Sequence, residues 1–132
     1  APDHLIASVH SYIPWNWDQN HAKLTDKHIT EIKSTFEKFD RYFLNRNMPL
    51  VIGEYGALFC DGTYQQEGDI TEEDKEEGAK YTRLMVEEAT KRDISLLYFM
   101  GLIDKEDRVT LQWSRPKSVE AIVNTYNSIK HE

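Results

Sequence analysis

Apolar positions along this chain fall into two alternating rhythms. Leu5–Val9 is a short apolar run without helical spacing, which predicts a strand buried on both faces. After a loop from Ser11 to Leu24, Thr25 can cap a helix. Ile29, Ile32, Phe36, Phe39 and Phe43 then recur at three- and four-residue spacing, an apolar stripe along one helical face. Asn45–Pro49 ends that helix, and Leu50–Glu54 predicts a second strand. Tyr55–Ile70 is the next loop. Thr71 opens a second helix, with Glu72, Glu73 and Asp74 complementing the dipole of its first turn. Ala79, Thr82, Met85, Val86 and Ala89 supply its apolar face, and Lys91 and Arg92 suit its end. Ile94–Met100 predicts a third strand. In the loop Gly101–Lys117, Val109, Leu111 and Trp113 alternate and predict a short extra strand. A last helix begins near Pro116–Ser118 and carries Val119, Ile122, Val123, Tyr126 and Ile129. The order βαβαβα implies an α/β fold with parallel strands and right-handed crossovers.

Composition narrows the function classes. At 132 residues, with 39% hydrophobic and 30% charged residues, the chain suits one soluble domain and no linker divides it. A net charge of −7 disfavours nucleic acid, whose phosphates attract a basic face. No apolar run approaches the roughly 20 residues that span a bilayer, so no membrane partner is expected. No charged-then-apolar leader opens the chain, so a signal peptide is expected to be absent or already removed. The single cysteine, Cys60, excludes an internal disulfide and reads as a small loop side chain, with no basic neighbour in sequence to stabilise a thiolate. His4, His21, His28 and His131 lack metal-ligand spacing, which leaves them capping or solvated roles and predicts neither metal nor cofactor. The acidic run Glu72–Glu77 reads as a solvated helix start.

The chemistry concentrates at two strand ends. Leu50–Gly56, reading LVIGEYG, delivers the carboxylate of Glu54 between two glycines at the rim of a sheet. Leu5–Tyr12, reading LIASVHSY, ends in His10 and Tyr12. Two consecutive strands ending in such side chains suggest the active-site rim of a parallel α/β fold. Trp15 and Trp17 follow in the first loop, interleaved with Asn16, Asp18, Gln19 and Asn20. Aromatic faces stack on pyranose rings while amides and carboxylates bond their hydroxyls; the alternative is that one tryptophan plugs the loop onto the rim.

Together these segments resemble the C-terminal part of a glycoside hydrolase family 5 catalytic domain, the cellulase-type (β/α)8 barrel. His10-Ser11-Tyr12 is similar to the family's H-x-Y element at the end of the sixth strand. Ile52-Gly53-Glu54-Tyr55-Gly56 is similar to its I-G-E-[FY]-G element at the end of the seventh. The helix ending at Arg92, then Asp93-Ile94 and an apolar strand, resembles the seventh helix entering the eighth strand, and the closing helix after Trp113 and Pro116 fits the eighth. The resemblance implies a partial TIM barrel of about three βα units, equivalent to β6-α6-β7-α7-β8-α8. It implies Glu54 as the nucleophile of a retaining glycosidase, with His10 and Tyr12 holding it and contacting the sugar. It further implies a β-glucan or related polysaccharide as substrate and a secreted or extracellular location.

The same resemblance marks departures. The family's acid/base lies in an N-E-[PI]-type element at the end of the fourth strand, and no Asn-Glu pair occurs in this chain. The third strand usually ends in tryptophan followed by Asp or Asn; Leu97-Tyr98-Phe99-Met100-Gly101 stands instead, with Tyr98 or Phe99 as substitute sugar platform. Three parallel strands would expose two edges and an apolar inner face, which predicts a homo-oligomer covering those edges. Three readings stay open. The chain is a glucanase fragment or truncated homologue with a nucleophile and no acid/base, inactive or nearly so by itself and competent if another chain supplies a carboxyl opposite Glu54, with Glu67, Asp69 and Asp107 in the loops as candidate donors. Otherwise it is a carbohydrate-binding or interaction module without turnover, or a half-barrel with no ligand.

Overall fold

A computed structural model describes residues 4–15, 17–61, 70–99, 101–103 and 107–131. Three parallel strands form one sheet in the order β1-β2-β3: β1 (Ala7–His10), β2 (Leu50–Tyr55) and β3 (Ser95–Tyr98). Helix α1 (Asp26–Tyr42) joins the first pair and α2 (Glu72–Thr90) the second; a helical turn α3 (Asp107–Thr110) and the helix α4 (Pro116–Lys130) follow. The alternation of strand and helix is therefore as the hydrophobic pattern predicts.

Both long helices start where threonine can cap them. The Thr25 hydroxyl accepts from the His28 N–H, and the Thr25 N–H is returned to His28 Nδ1, so histidine takes the place of the usual Glu or Gln in a capping box. Thr71 and Asp74 form the equivalent pair at α2. Asp74 and Glu77 depart from the expected solvated helix start, because both are buried. Asp74 also meets His21 Nδ1 at 2.7 Å, and Glu77 accepts the Leu24 N–H at 2.8 Å. Burial pulls the Asp74 carboxyl up, but the bonds from Thr71 and His21 together hold it below its ordinary value. The loop from β1 thus folds over the start of α2, which turns two of its acids inward as backbone and side-chain acceptors.

The core lies between the sheet and the helices. Leu50, Ile52 and Tyr55 on one face of β2 meet Ile32 and Phe36 of α1 and Tyr81, Met85 and Ala89 of α2. Arg92 closes the α1–α2 seam, bonded to Asp40 at 2.9 Å and to Glu88 at 2.7 Å, with its guanidinium 5.5 Å from the Phe36 ring centre. The opposite face of the sheet has no layer over it among the described residues. Ser8, His10, Ser95 and Leu97 are exposed there, so β1 and β3 alternate between half-buried and exposed rather than being buried on both faces.

Two further expectations change. Val109, Leu111 and Trp113 form no strand: Asp107–Thr110 coils into a helical turn, Leu111 adopts the left-handed region at φ 55°, and all three side chains are exposed. An isolated alternation with no strand beside it to share a ladder has nothing to hold it extended. Helix α4 packs on α2, with Ser118 and Ala121 buried, but Val123 and Tyr126 of its predicted stripe stay about half exposed, with no helix over that flank among the described residues.

Gly78 in α2 lets the loop after β2 settle directly onto the helix. A Cβ at that position would lie 2.9 Å from Cys60 Cβ. Gly78→Ala should therefore destabilise the fold by about 1–3 kcal/mol, despite the roughly 1 kcal/mol that alanine gains in an open helix. A urea unfolding midpoint that rises in the variant would contradict this packing.

Candidate active site

Parallel pairing brings the ends of β1 and β2 side by side, and a bulge aims the carboxylate. Val9 pairs with Ile52, yet His10 pairs with Glu54, so β2 holds one residue more than β1 over that step. On the other side Ile52 pairs with Leu96 and Tyr55 with Tyr98, which places the same irregularity against β3. A bulge at a strand end bends the chain and redirects a side chain. Here it lets Tyr55 stay in the core while Glu54 turns to the rim. Gly53 makes room: a Cβ there would lie 3.3 Å from Ser8 Oγ and 3.4 Å from His10 Nε2.

Glu54 is held from β1. The Tyr12 hydroxyl donates to Glu54 Oε2 at 2.7 Å, and His10 Nδ1 lies 3.3 Å from the same oxygen. The Ser11 N–H donates to the Glu54 carbonyl at 2.9 Å, which locks the two strand ends together beneath the side chains. The Glu54 side chain is 29% exposed and that of His10 57%. The carboxylate is therefore anchored through one oxygen and still reachable from solvent, an arrangement that suits a nucleophile.

A cleft of about 420 Å³ opens beside Glu54. Tyr12, Trp15 and Phe99 contribute aromatic surface to it, and Tyr12 meets Phe99 edge to face at 6.0 Å. Leu58 and Phe59, from the turn after β2, form another wall. They follow the I-G-E-Y-G segment after a single residue, Ala57, so their position in sequence was a signal; only the fold shows that they face the cleft. Asp18 and Gln19 supply polar groups.

The predicted platform residues separate into two groups. Trp15 is 75% exposed on the rim, and Phe99 is partly exposed in the cleft. Trp17 is only 5% exposed and packs against Tyr81 with ring centres 5.4 Å apart, so it chiefly plugs the loop onto α2 and leaves an edge on the cleft. Tyr98 lies on the helix side of β3, stacked edge to face on Tyr55, with its hydroxyl donating to Asp61 at 2.5 Å. Burial and the Asp61 charge push its pKa upward. Tyr98 does not line the cleft; a period-two strand that sends Leu97 to the open face must send Tyr98 to the core.

Asp61 also pairs with Arg115 Nε at 3.3 Å, both side chains buried. Cys60 is buried against α2, and burial together with the Asp18, Asp74 and Asp61 charges raises its thiol pKa, so it is no reactive thiolate. Among the described residues no group of three or more His, Cys, Asp and Glu side chains is arranged to hold a metal, and no helix is long and apolar enough to cross a membrane. Asn16, Glu67, Asp69 and Met100 lie outside the described residues.

Comparison with known proteins places this geometry. The family model Cellulase (glycosyl hydrolase family 5) matches residues 1–101. The chain belongs to glycosyl hydrolase family 5. Endoglucanase 1 of Ruminococcus albus is 26% identical over 132 aligned residues, which cover 89% of this chain and 29% of that protein. Endoglucanase B of Neocallimastix patriciarum is 29% identical and covers 97% and 27%. The crystal structure of a glycoside hydrolase family 5 enzyme from Prevotella bryantii, a mutant in complex with a xyloglucan tetradecasaccharide, matches with a TM-score of 0.82 at 28% identity, over 96% of this chain and 36% of that one. The three strand–helix units thus correspond to part of a family 5 TIM barrel, and the chain spans about a third or less of the length of these relatives.

The two tryptophans of the first loop should differ sharply in their contribution to folding. Trp17→Ala should cost about 3–5 kcal/mol, as loss of a buried aromatic does. Trp15→Ala should stay within about 0.5 kcal/mol of wild type. Chemical denaturation of the two variants checks the assignment, and equal losses would refute it.

Proposed function

We propose that Glu54 is the nucleophile of a retaining glycoside hydrolase site of the β-1,4-glucanase type, and that these residues carry that part of the site without its acid/base. The observation that carries this reading is the grip of Tyr12 and His10 on Glu54 Oε2, at 2.7 and 3.3 Å, where two adjacent parallel strands end beside an aromatic cleft. In the reaction Glu54 attacks the anomeric carbon, the bond to the leaving oxygen breaks, and a glycosyl ester forms on the carboxylate. Tyr12 and His10 orient the attacking group. The leaving oxygen needs a proton from a second carboxyl about 5–5.5 Å from the first.

Among the described residues, candidates for that second group are few. Asp18 is the other carboxyl in the described cleft lining, and it is buried with its Oδ2 bonded to the Phe59 N–H. Asp107 sits on α3 and does not line the cleft. The substrate class is supported by the family, by relatives named endoglucanases and by the family 5 structure solved with a xyloglucan oligosaccharide. We infer an extracellular location from the size of such a polysaccharide.

Missing acid catalysis can be bypassed with a leaving group that departs unprotonated. Incubation with 2,4-dinitrophenyl 2-deoxy-2-fluoro-β-cellobioside should add one fluorocellobiosyl group to the chain, mapped to Glu54 by mass spectrometry and absent from Glu54→Gln. On unactivated soluble β-glucan both proteins should give the same background rate. No adduct in the wild type would sink the nucleophile reading.

A second reading, carbohydrate binding without turnover, is favoured by the exposed Trp15 and the apolar residues Leu58, Phe59 and Phe99 that line the same cleft. Binding of cello-oligosaccharides in the absence of any adduct would select it. Under either reading, we expect the uncovered sheet to associate: Leu5, Ile6 and Leu97 are more than half exposed on or beside the outer strands. The chain should sediment as an oligomer at micromolar concentration, with subunits covering one another's edges. A monomer under those conditions would exclude this.

A further inference from the structure

The cleft residues Leu58 and Phe59 stand on a short turn that the fold fastens from three sides. The turn is closed by the Asp61 N–H, which donates to the Ala57 carbonyl at 3.1 Å. On the cleft side, the Phe59 N–H donates to Asp18 Oδ2 at 3.1 Å. Beneath it, Cys60 rests on α2 in the space that Gly78 leaves, and its thiol points at the Asp18 carbonyl, 3.9 Å away. Behind it, the Asp61 carboxylate takes the Tyr98 hydroxyl at 2.5 Å and faces buried Arg115 at 3.3 Å, while Arg115 donates to the Gly101 carbonyl at 3.0 Å. Two loops and the start of α4 are thereby tied to five residues.

What these fastenings present to the cleft is apolar. Leu58 and Phe59 are both partly exposed there, next to an accessible carboxylate. A loop pair without such supports would be mobile, as surface loops generally are. Held by a buried aspartate and a buried ion pair, it stays presented. Apolar side chains that share a cleft with Trp15 suit the C–H faces of a pyranose ring, and Gln19 and Glu54 in the same lining offer partners for its hydroxyls.

We propose that Leu58 and Phe59 form a sugar-binding wall, and that Asp18 is the positioning residue that sets it by accepting the Phe59 N–H. The proposal rests on the reading of this cleft as a β-glucan site and assigns it a recognition element that lies outside the two strand-end motifs. Asp18 acts through the turn, its Oδ2 taken up by the Phe59 N–H. Because an amide oxygen accepts the same N–H, asparagine should replace aspartate here and alanine should not.

Calorimetric titration of the chain with cellohexaose tests this, with far-UV circular dichroism confirming the fold of each variant. Phe59→Ala should weaken binding by about tenfold, as loss of an aromatic anchor does. Asp18→Ala should weaken it by roughly fivefold through the lost backbone bond, and Asp18→Asn should remain within about twofold of wild type. Wild-type affinity in Phe59→Ala overturns the wall, and so does wild-type affinity in Asp18→Ala for the positioning role. Should Asp18→Ala fail to fold, Asp18→Asn decides in its place: a loss as large as that of Phe59→Ala overturns the acceptor role. Absence of binding by wild type overturns the reading of the cleft itself, a result separate from any difference among the variants.

Discussion

Every feature of the site depends on the parallel pairing of β1 with β2 and on the extra residue that β2 carries at its end. Without the pairing, Tyr12 and Glu54 would be 42 positions apart with no reason to meet. Without the bulge, strict alternation would conflict at this point: Ile52 and Tyr55 both belong to the core, and three steps separate them. The bulge resolves that conflict by leaving Gly53 and Glu54 on the open side together. A bulky residue in place of Gly53 would press on Ser8 and His10, so the glycine serves the histidine as much as the strand.

The helix side of the sheet explains why this rim is stable in so short a chain. β2 is central, paired on both sides and covered by α1 and α2, so the strand bearing Glu54 is the most buried of the three. The loops above it are then fastened by groups taken out of solvent: Trp17 on Tyr81, Asp74 and Glu77 under the first loop, and Asp61 with Arg115 under the second. Such buried polar groups would be costly if unpaired and are here paired with hydrogen-bonding partners. The result is a cleft whose floor is a carboxylate and whose walls are mounted on rigid supports. Among the described residues the opposite face of the sheet has no such layer, which is why the same strands that read as fully buried are exposed on one side.

The elements were legible because each rests on local chemistry. Threonine caps, apolar stripes at helical spacing and the unbroken run of β2 act over a few residues and need no distant partner. The three-residue step from Ile52 to Tyr55 was equally present in the sequence but reads as ordinary strand until its neighbours show two residues opposite three. Val109, Leu111 and Trp113 mark the opposite error: a period of two without a neighbouring strand has no ladder to join, and the segment coils. The acidic run at the start of α2 misled for a similar reason, since what buries Asp74 and Glu77 is a loop some 50 residues earlier.

The sequence by itself determined the strand–helix order, the helix starts and the two strand ends that carry His10, Tyr12 and Glu54, because residue type and spacing govern short-range structure directly. Only the tertiary structure decided which of the aromatics face the cleft. Trp15 and Trp17 are two residues apart and alike in type, yet one lies on the rim and the other on Tyr81. Tyr98 and Phe99 are neighbours, yet one bonds Asp61 in the interior and the other meets Tyr12. Side-chain direction at a strand end or in a loop is set by what packs beneath it, and those contacts come from parts of the chain that sequence proximity does not connect.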